Sequence, residues 1–337
     1  MNKFWIFPLL FLFGCNSSSN EIESTSSNFN EQKYEWIVSK NHLTGSDNPF
    51  PFVSNPTMNS IEDVVGLLDE DTVVLISFKN EIKAYPYKFI SPYEVVNDHL
   101  ENIKYAITYC PVTESGICVN NTLNNESISL VASGFRYKDN LVSFDENTNT
   151  YWSQMLLKCI KGQFENNFHE QLPMIETKWK NVKKLYPTAL VFTPSSINQN
   201  SNKTQFKQSS NTSEDERVFG VLDVDNISDI KIHIYRKNDF ENEIKIYQKY
   251  IGNNNTVIIG NKELDFIVSF IDSGNSEFAP IQNEFPIIMQ DNSGSKWNVF
   301  GVAVSGSRTG ENLSLSKSYL ASWWAWKDFY SEFIHIN

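Results

Sequence analysis

Two stretches of this chain, separated by a polar run, carry the same spaced landmarks. In the first, 145-DENTNTYWSQMLLKCIKG-162 is followed by Leu172, Trp179 and Tyr186; in the second, 291-DNSGSKWNVFGVAVSG-306 is followed by Leu315, Trp323 and Tyr330. Asp precedes Trp by six or seven residues, and Gly follows that Trp by nine or ten. Trp and Tyr then recur seven apart, a spacing that puts both rings on one face of a helix. Upstream, 81-EIKAYPY-87 parallels 229-DIKIHIY-235, each alternating with the period of a strand. An internal repeat on this scale limits the fold strongly, because both copies must generate the same elements.

Each copy reads as strand, connecting segment, strand, hairpin and a terminal helix that carries aromatics. Turn chemistry is present at 137-YKDN-140, 145-DENTN-149 and 291-DNSG-294. Short β-branched or aromatic runs such as 72-TVVLISF-78, 127-SISLVAS-133, 255-NTVIIG-260 and 264-LDFIVSF-270 outnumber the helical ones. Helices are expected over 91–100, 175–186 and 319–333. The fold class is therefore α+β, mainly antiparallel β-sheet built from two related repeats, each ending in an aromatic-bearing helix. The repeats occupy 41–194 and 218–337, and the Ser/Asn-rich run 195–217 reads as a polar linker. In the last predicted helix, Trp323 takes the place of Trp179 in the core, while Trp324 and Trp326 fall on other faces.

The N-terminus speaks to location. Lys3, an apolar run from Phe4 to Phe13 and then Gly14-Cys15 suit a signal peptide over residues 1–14, too short to span a bilayer as a helix. Leu12-Phe13-Gly14-Cys15 resembles the lipobox at which bacterial lipoproteins are cleaved before a lipidated cysteine. Residues 15–40 then form a lipidated Cys15 and a polar tether. Asn16 after that cysteine favours the outer membrane, so the expected site is the bacterial cell envelope. A net charge of −12, with no Lys/Arg-rich run, argues against a nucleic-acid partner.

Four segments, 83-KAYPYKFISPYEVVND-98, 107-ITYCPVTESG-116, 134-GFRYKDNLVSFDENTNTYWSQ-154 and 185-LYPTALVF-192, together resemble the bacterial family known as domain of unknown function 3179. The resemblance is strong over roughly residues 45–195 and weaker to about 330. It implies no activity. It does expose two departures: Thr113 stands where the family usually carries a second cysteine, and Tyr93 where it tends to carry a histidine. Two thiols and an imidazole would suit a soft metal or a redox pair, and this chain lacks two of the three.

Three readings of Cys110 follow. It is a structural cysteine, free or bridged to Cys118; it is a reactive thiol; or it belongs to a reduced copper or zinc site. Export favours the bridge, which would close a short loop and stabilise by roughly 2–3 kcal/mol. A nucleophile needs a nearby base, and His99 is the nearest in sequence. Glu94, Asn97 and Asp98 fall at i, i+3 and i+4 of the predicted helix over 91–100, hence on one face beside Cys110. Tyr109, Arg136, Ser153 and Gln154 occur only in the first repeat and complete the candidate site. No cofactor is expected, with copper or zinc as the second alternative. The functional expectation is a lipid-anchored binding or scaffold protein of the envelope, leaning away from catalysis and with an unspecified small-molecule or protein partner. A thiol-dependent enzyme or redox protein using Cys110 is the first alternative.

Overall fold

The computed structural model describes residues 34–79, 81–194, 216–224 and 230–335. The signal peptide, Cys15, most of the tether and almost all of the linker lie outside the described residues. Arg217, placed at the end of the linker by its composition, instead opens a strand.

β1 (Thr72–Phe78) and β2 (Glu81–Pro86) form an antiparallel hairpin with Val74 opposite Tyr85. β1 is nearly all β-branched or apolar because both of its faces are covered. Val73 and Leu75 enter one core, Val74 and Ile76 another. β3 (Val95–Leu100), β4 (Ile103–Cys110) and β5 (Ser115–Asn120) form a three-stranded antiparallel meander. A second meander follows in β6 (Leu130–Tyr137), β7 (Asn140–Asp145), β8 (Thr150–Ser153) and β9 (Lys158–Lys161). The chain then returns: β10 (Ile175–Lys178) pairs antiparallel with β1, runs into α1 (Trp179–Leu185), and β11 (Leu190–Phe192) joins β2 in parallel.

After the linker, β12 (Arg217–Asp223) and β13 (Lys231–Arg236) pair antiparallel with Phe219 opposite Tyr235. β14 (Lys245–Ile251), β15 (Asn254–Asn261) and β16 (Phe266–Ile271) form a meander. β17 (Phe278–Pro280), β18 (Ile287–Asp291), β19 (Lys296–Asn298) and β20 (Ala303–Ser305) form another. β21 (Ser318–Ser322) pairs antiparallel with β12 and leads into α2 (Trp323–Phe329), after which β22 (Glu332–His335) lies parallel to β13. The protein is thus mostly antiparallel sheet with a few short helices.

The expected helices are corrected in part. The helix over 91–100 is a turn followed by β3, since Val95-Val96 and the whole ladder to β4 fix an extended register. The other two are strands that become helices of seven residues at Trp179 and Trp323. Before those points Ile175–Lys178 and Ser318–Ser322 are held extended by β1 and β12. Pairing with a neighbour outweighs local helical preference there. Of the clustered tryptophans, it is Trp326 that is fully buried, stacked 4.4 Å from Tyr319, whereas Trp323 and Trp324 are partly exposed.

The cores do not follow the chain halves. One joins Ala106, Leu130, Leu141 and Trp152 to Val218, Ile232, Ala321 and Trp326. Another joins Val73, Ala84, Ile175 and Trp179 to Val257, Ile259, Met289 and Trp297. Each half contributes its hairpin and helix to the core under the other half's meanders. Hydrogen bonds cross the seam as well: Gln171 and Ser318 exchange two, at 3.0 and 3.2 Å, and the Thr177 hydroxyl donates to the Leu264 carbonyl at 2.6 Å. Tyr34–Asn337 accordingly forms a single contact unit.

Candidate functional site

Cys110 ends β4 opposite Ser115, and Cys118 sits on β5 opposite Ile107. Ile107 and Cys110 are three residues apart on one strand, so they point to opposite faces. Cys110 therefore enters the core with Trp152, while Cys118 enters the one with Tyr85 and Tyr105. A bridge between them is excluded by that geometry, which corrects the expected disulfide. Cys110, Cys118 and Cys159 are all free and buried. Burial, with help from the charge of Glu94, raises the Cys110 thiol; hydrogen bonding from Thr113 offsets only part of this. Burial likewise pushes Cys118 far up and Cys159 up to about 12. Such thiols hold little thiolate near neutral pH.

Around the β4–β5 turn lies a closed polar network that sequence inspection did not identify. Asn140, fully buried, donates to the Thr113 hydroxyl at 2.9 Å and to Gln154 Oε1 at 2.8 Å, and its Oδ1 accepts from the Met155 amide at 3.0 Å. Ser115 donates to Gln154 Oε1 at 2.6 Å, and Gln154 Nε2 donates to the Thr108 hydroxyl at 2.9 Å. Thr113, Ser115, Asn140 and Gln154 thereby satisfy one another. Thr113 and Gln154 lie in turns and Ser115 and Asn140 open strands, positions where polar residues are ordinary, so composition alone gave no signal of the network.

Glu94 comes next to Cys110 from the start of β3. Its backbone is left-handed (φ 58°), with its amide donating to the Ile90 carbonyl at 2.9 Å and its carbonyl accepting from the Tyr109 amide at 2.7 Å. The side chain is only 8 % exposed and its carboxyl has no hydrogen bond or ion pair among the described residues. Burial raises it to about 7, with Arg136 pulling the other way. Arg136, exposed on β6, follows a break in register between Ala132 and itself. Bulges of this kind re-aim side chains. Glu94 thus lies within electrostatic range of both Cys110 and Arg136.

The remaining predicted site residues go elsewhere. With Val95–Leu100 extended, Asn97 and Asp98 face opposite sides of β3, so the shared helical face with Glu94 does not exist. Asn97 staples β3 to β6, donating to the Leu130 carbonyl at 2.7 Å and accepting from the Leu130 amide at 2.9 Å. Asp98 is buried against Lys83 at 3.0 Å and the Tyr85 hydroxyl at 2.6 Å. Ser153 pairs with Val142 and shares its face, buried on the side of a separate small core and away from Cys110. His99 is exposed, opposite Lys104, and contacts Asn55. It is no base for Cys110.

Tyr109 faces away from Cys110 and stacks on Tyr87 at 4.0 Å. A second feature is a cleft of about 430 Å³ between the halves, lined by β10, the start of β12 and the β15–β16 turn. Glu176 accepts from the Tyr87 hydroxyl at 2.6 Å and pairs with Arg217 at 2.8 Å. Burial opposes the Arg217 charge, but Glu176 more than compensates and keeps it protonated. Lys178 lies 3.5 Å from Asp265, and Lys237 pairs with the same carboxylate. Burial, then the charges of Lys178 and Arg217, push Lys237 down to about 8. The linker-like composition around Arg217 hid this cluster from sequence reading. No group of three or more His, Cys, Asp or Glu that could hold a metal ion exists among the described residues.

The sequence pattern of one family, described as protein of unknown function (DUF3179), matches residues 47–333. No curated protein and no solved structure matches the chain.

Proposed function

The chain belongs to the DUF3179 family, and from that premise we propose that it is a non-catalytic binding or scaffold protein of the cell envelope, held at the membrane by a lipid on Cys15. One observation carries the non-catalytic reading. The thiol at the family's cysteine position is 1 % exposed and raised by burial, with no imidazole beside it. Its companion position is Thr113, locked into a satisfied hydroxyl–amide network. A nucleophile or redox pair needs the opposite: an accessible, low-pKa thiolate with a partner. The Glu94–Arg136 end of this site is where a polar ligand would be recognised.

The envelope part rests on the lipobox-like Leu12–Cys15 and the polar run after it. No helix among the described residues is long and apolar enough to cross a membrane. We also infer that the two halves are repeats. Supporting this, β10 is antiparallel to β1 and β11 parallel to β2, as β21 is antiparallel to β12 and β22 parallel to β13.

Membranes of cells expressing the full chain, treated with iodoacetamide and analysed by peptide mass spectrometry, test both parts. The expected result is a diacylated or triacylated Cys15 peptide and a Cys110 alkylated only after denaturation. Rapid native labelling of Cys110 at neutral pH would restore the thiol-enzyme alternative. An unmodified, uncleaved N-terminus would remove the anchor.

A further inference from the structure

We propose that the cleft between the two halves binds a small organic anion, its carboxylate or phosphate group seated against Lys178, Arg217 and Lys237 and its apolar part against Ile267 and Leu320. This site is distinct from the Cys110 region and does not rest on the reading of that region.

The cleft's volume of about 430 Å³ lies within the range of small-molecule sites. Its lining carries four carboxylates, Glu114, Glu176, Glu216 and Asp265, as well as the three cations. The carboxylates are not equally free to balance them. Glu216 is taken by Arg236, and Glu114 accepts from the Ser322 hydroxyl at 3.4 Å. Glu176 is held by Arg217 and Tyr87 together, at 2.8 and 2.6 Å. Among the described residues, Asp265 is the carboxylate within ion-pair reach of both ammonium groups, Lys178 and Lys237. Lys178 uses one further donor, on the Thr72 hydroxyl at 3.1 Å, and has a third to offer.

The cations also repel each other: the charge of Arg217 lowers both Lys178 and Lys237, and Lys178 lowers Lys237. An incoming anion relieves that repulsion and fills the unused donors. Ile267 of β16 and Leu320 of β21 line the cleft beside these groups and pack in the same core. Such a floor suits the carbon part of an organic anion.

Binding an anion beside Lys237 raises its affinity for protons. Because the free group titrates near 8, affinity is greatest below that pH and falls as pH rises through it. Near pH 8, complex formation takes up protons from the buffer.

The test is calorimetric titration of the whole protein with inorganic phosphate and, separately, with butyrate, using butanol as the uncharged control. The two anions separate a phosphate-selective site from a carboxylate-selective one. Saturable binding of at least one anion, weakened about tenfold or more in Lys237→Gln or Lys178→Gln and accompanied by proton uptake at pH 8, is the expected result. The Lys237 side chain is 47 % exposed, so the first variant tests binding without threatening the fold, and an unchanged thermal midpoint verifies this. Absence of saturable binding of either anion at tens of millimolar, or equal binding by both variants and the parent, would overturn the proposal.

Discussion

A buried carboxyl with no partner is costly when ionised, and Glu94 is such a group. Its ordinary value of 4.5 rises to about 7 on folding, so between those values the native chain keeps a proton that the unfolded chain releases. Stability is therefore highest below about 4.5 with respect to this group, falls as pH rises to 7, and stays reduced above it. Glu94→Gln removes that loss. The variant is expected to be more stable than the parent at pH 8 by about 1–3 kcal/mol and nearly equal at pH 4.5. Urea denaturation at the two pH values measures this, and equal stabilities at pH 8 would refute the account. Of the predicted site residues, Glu94 lies within electrostatic range of both Cys110 and Arg136. Asn97, Asp98, Ser153 and Tyr109 go elsewhere, because on a strand a shift of one residue reverses the face.

At the level of elements, α2 is anchored by one ring. Trp326 is fully buried, its indole N–H donating to the Val218 carbonyl at 3.2 Å, and it packs over β12 at Gly220. A Cβ at Gly220 would lie 2.4 Å from the indole, and the ring is already stacked on Tyr319. Gly220→Ala should cost about 1–3 kcal/mol through overpacking, and Trp326→Ala about 3–5 kcal/mol through the cavity it leaves. Chemical denaturation curves check both, and a neutral Gly220→Ala would mean that the ring moves aside freely. The turn-rich hairpins were readable from Asp, Asn and Gly. The strand at Val95–Leu100 was not: its polar Asn97, Asp98 and His99 mask the period-two pattern, and only the β4 ladder reveals its state.

For the whole molecule, shared cores predict shared stability. Fragments 34–194 and 216–337 each leave half of two cores exposed to water. Neither is expected to unfold cooperatively alone, whereas co-expressed they should associate into a folded complex although the linker is cut. Size-exclusion chromatography and circular dichroism decide this; a cooperatively folded single fragment would contradict it.

The local order of residues determined most of the strands and turns, the family and the signal-like N-terminus. Tertiary structure decided the rest: the opposite faces of Cys110 and Cys118, the crossed cores and the charged cleft. Strand periodicity and turn chemistry are written over a few neighbouring residues. Which strand pairs with which, and hence which face is buried, depends on contacts across a hundred residues or more, such as Ile175 with Leu75 and Arg217 with Ser322. That dependence is why Arg217 reads as linker in the sequence and becomes, in the fold, the paired cation at the centre of a cleft.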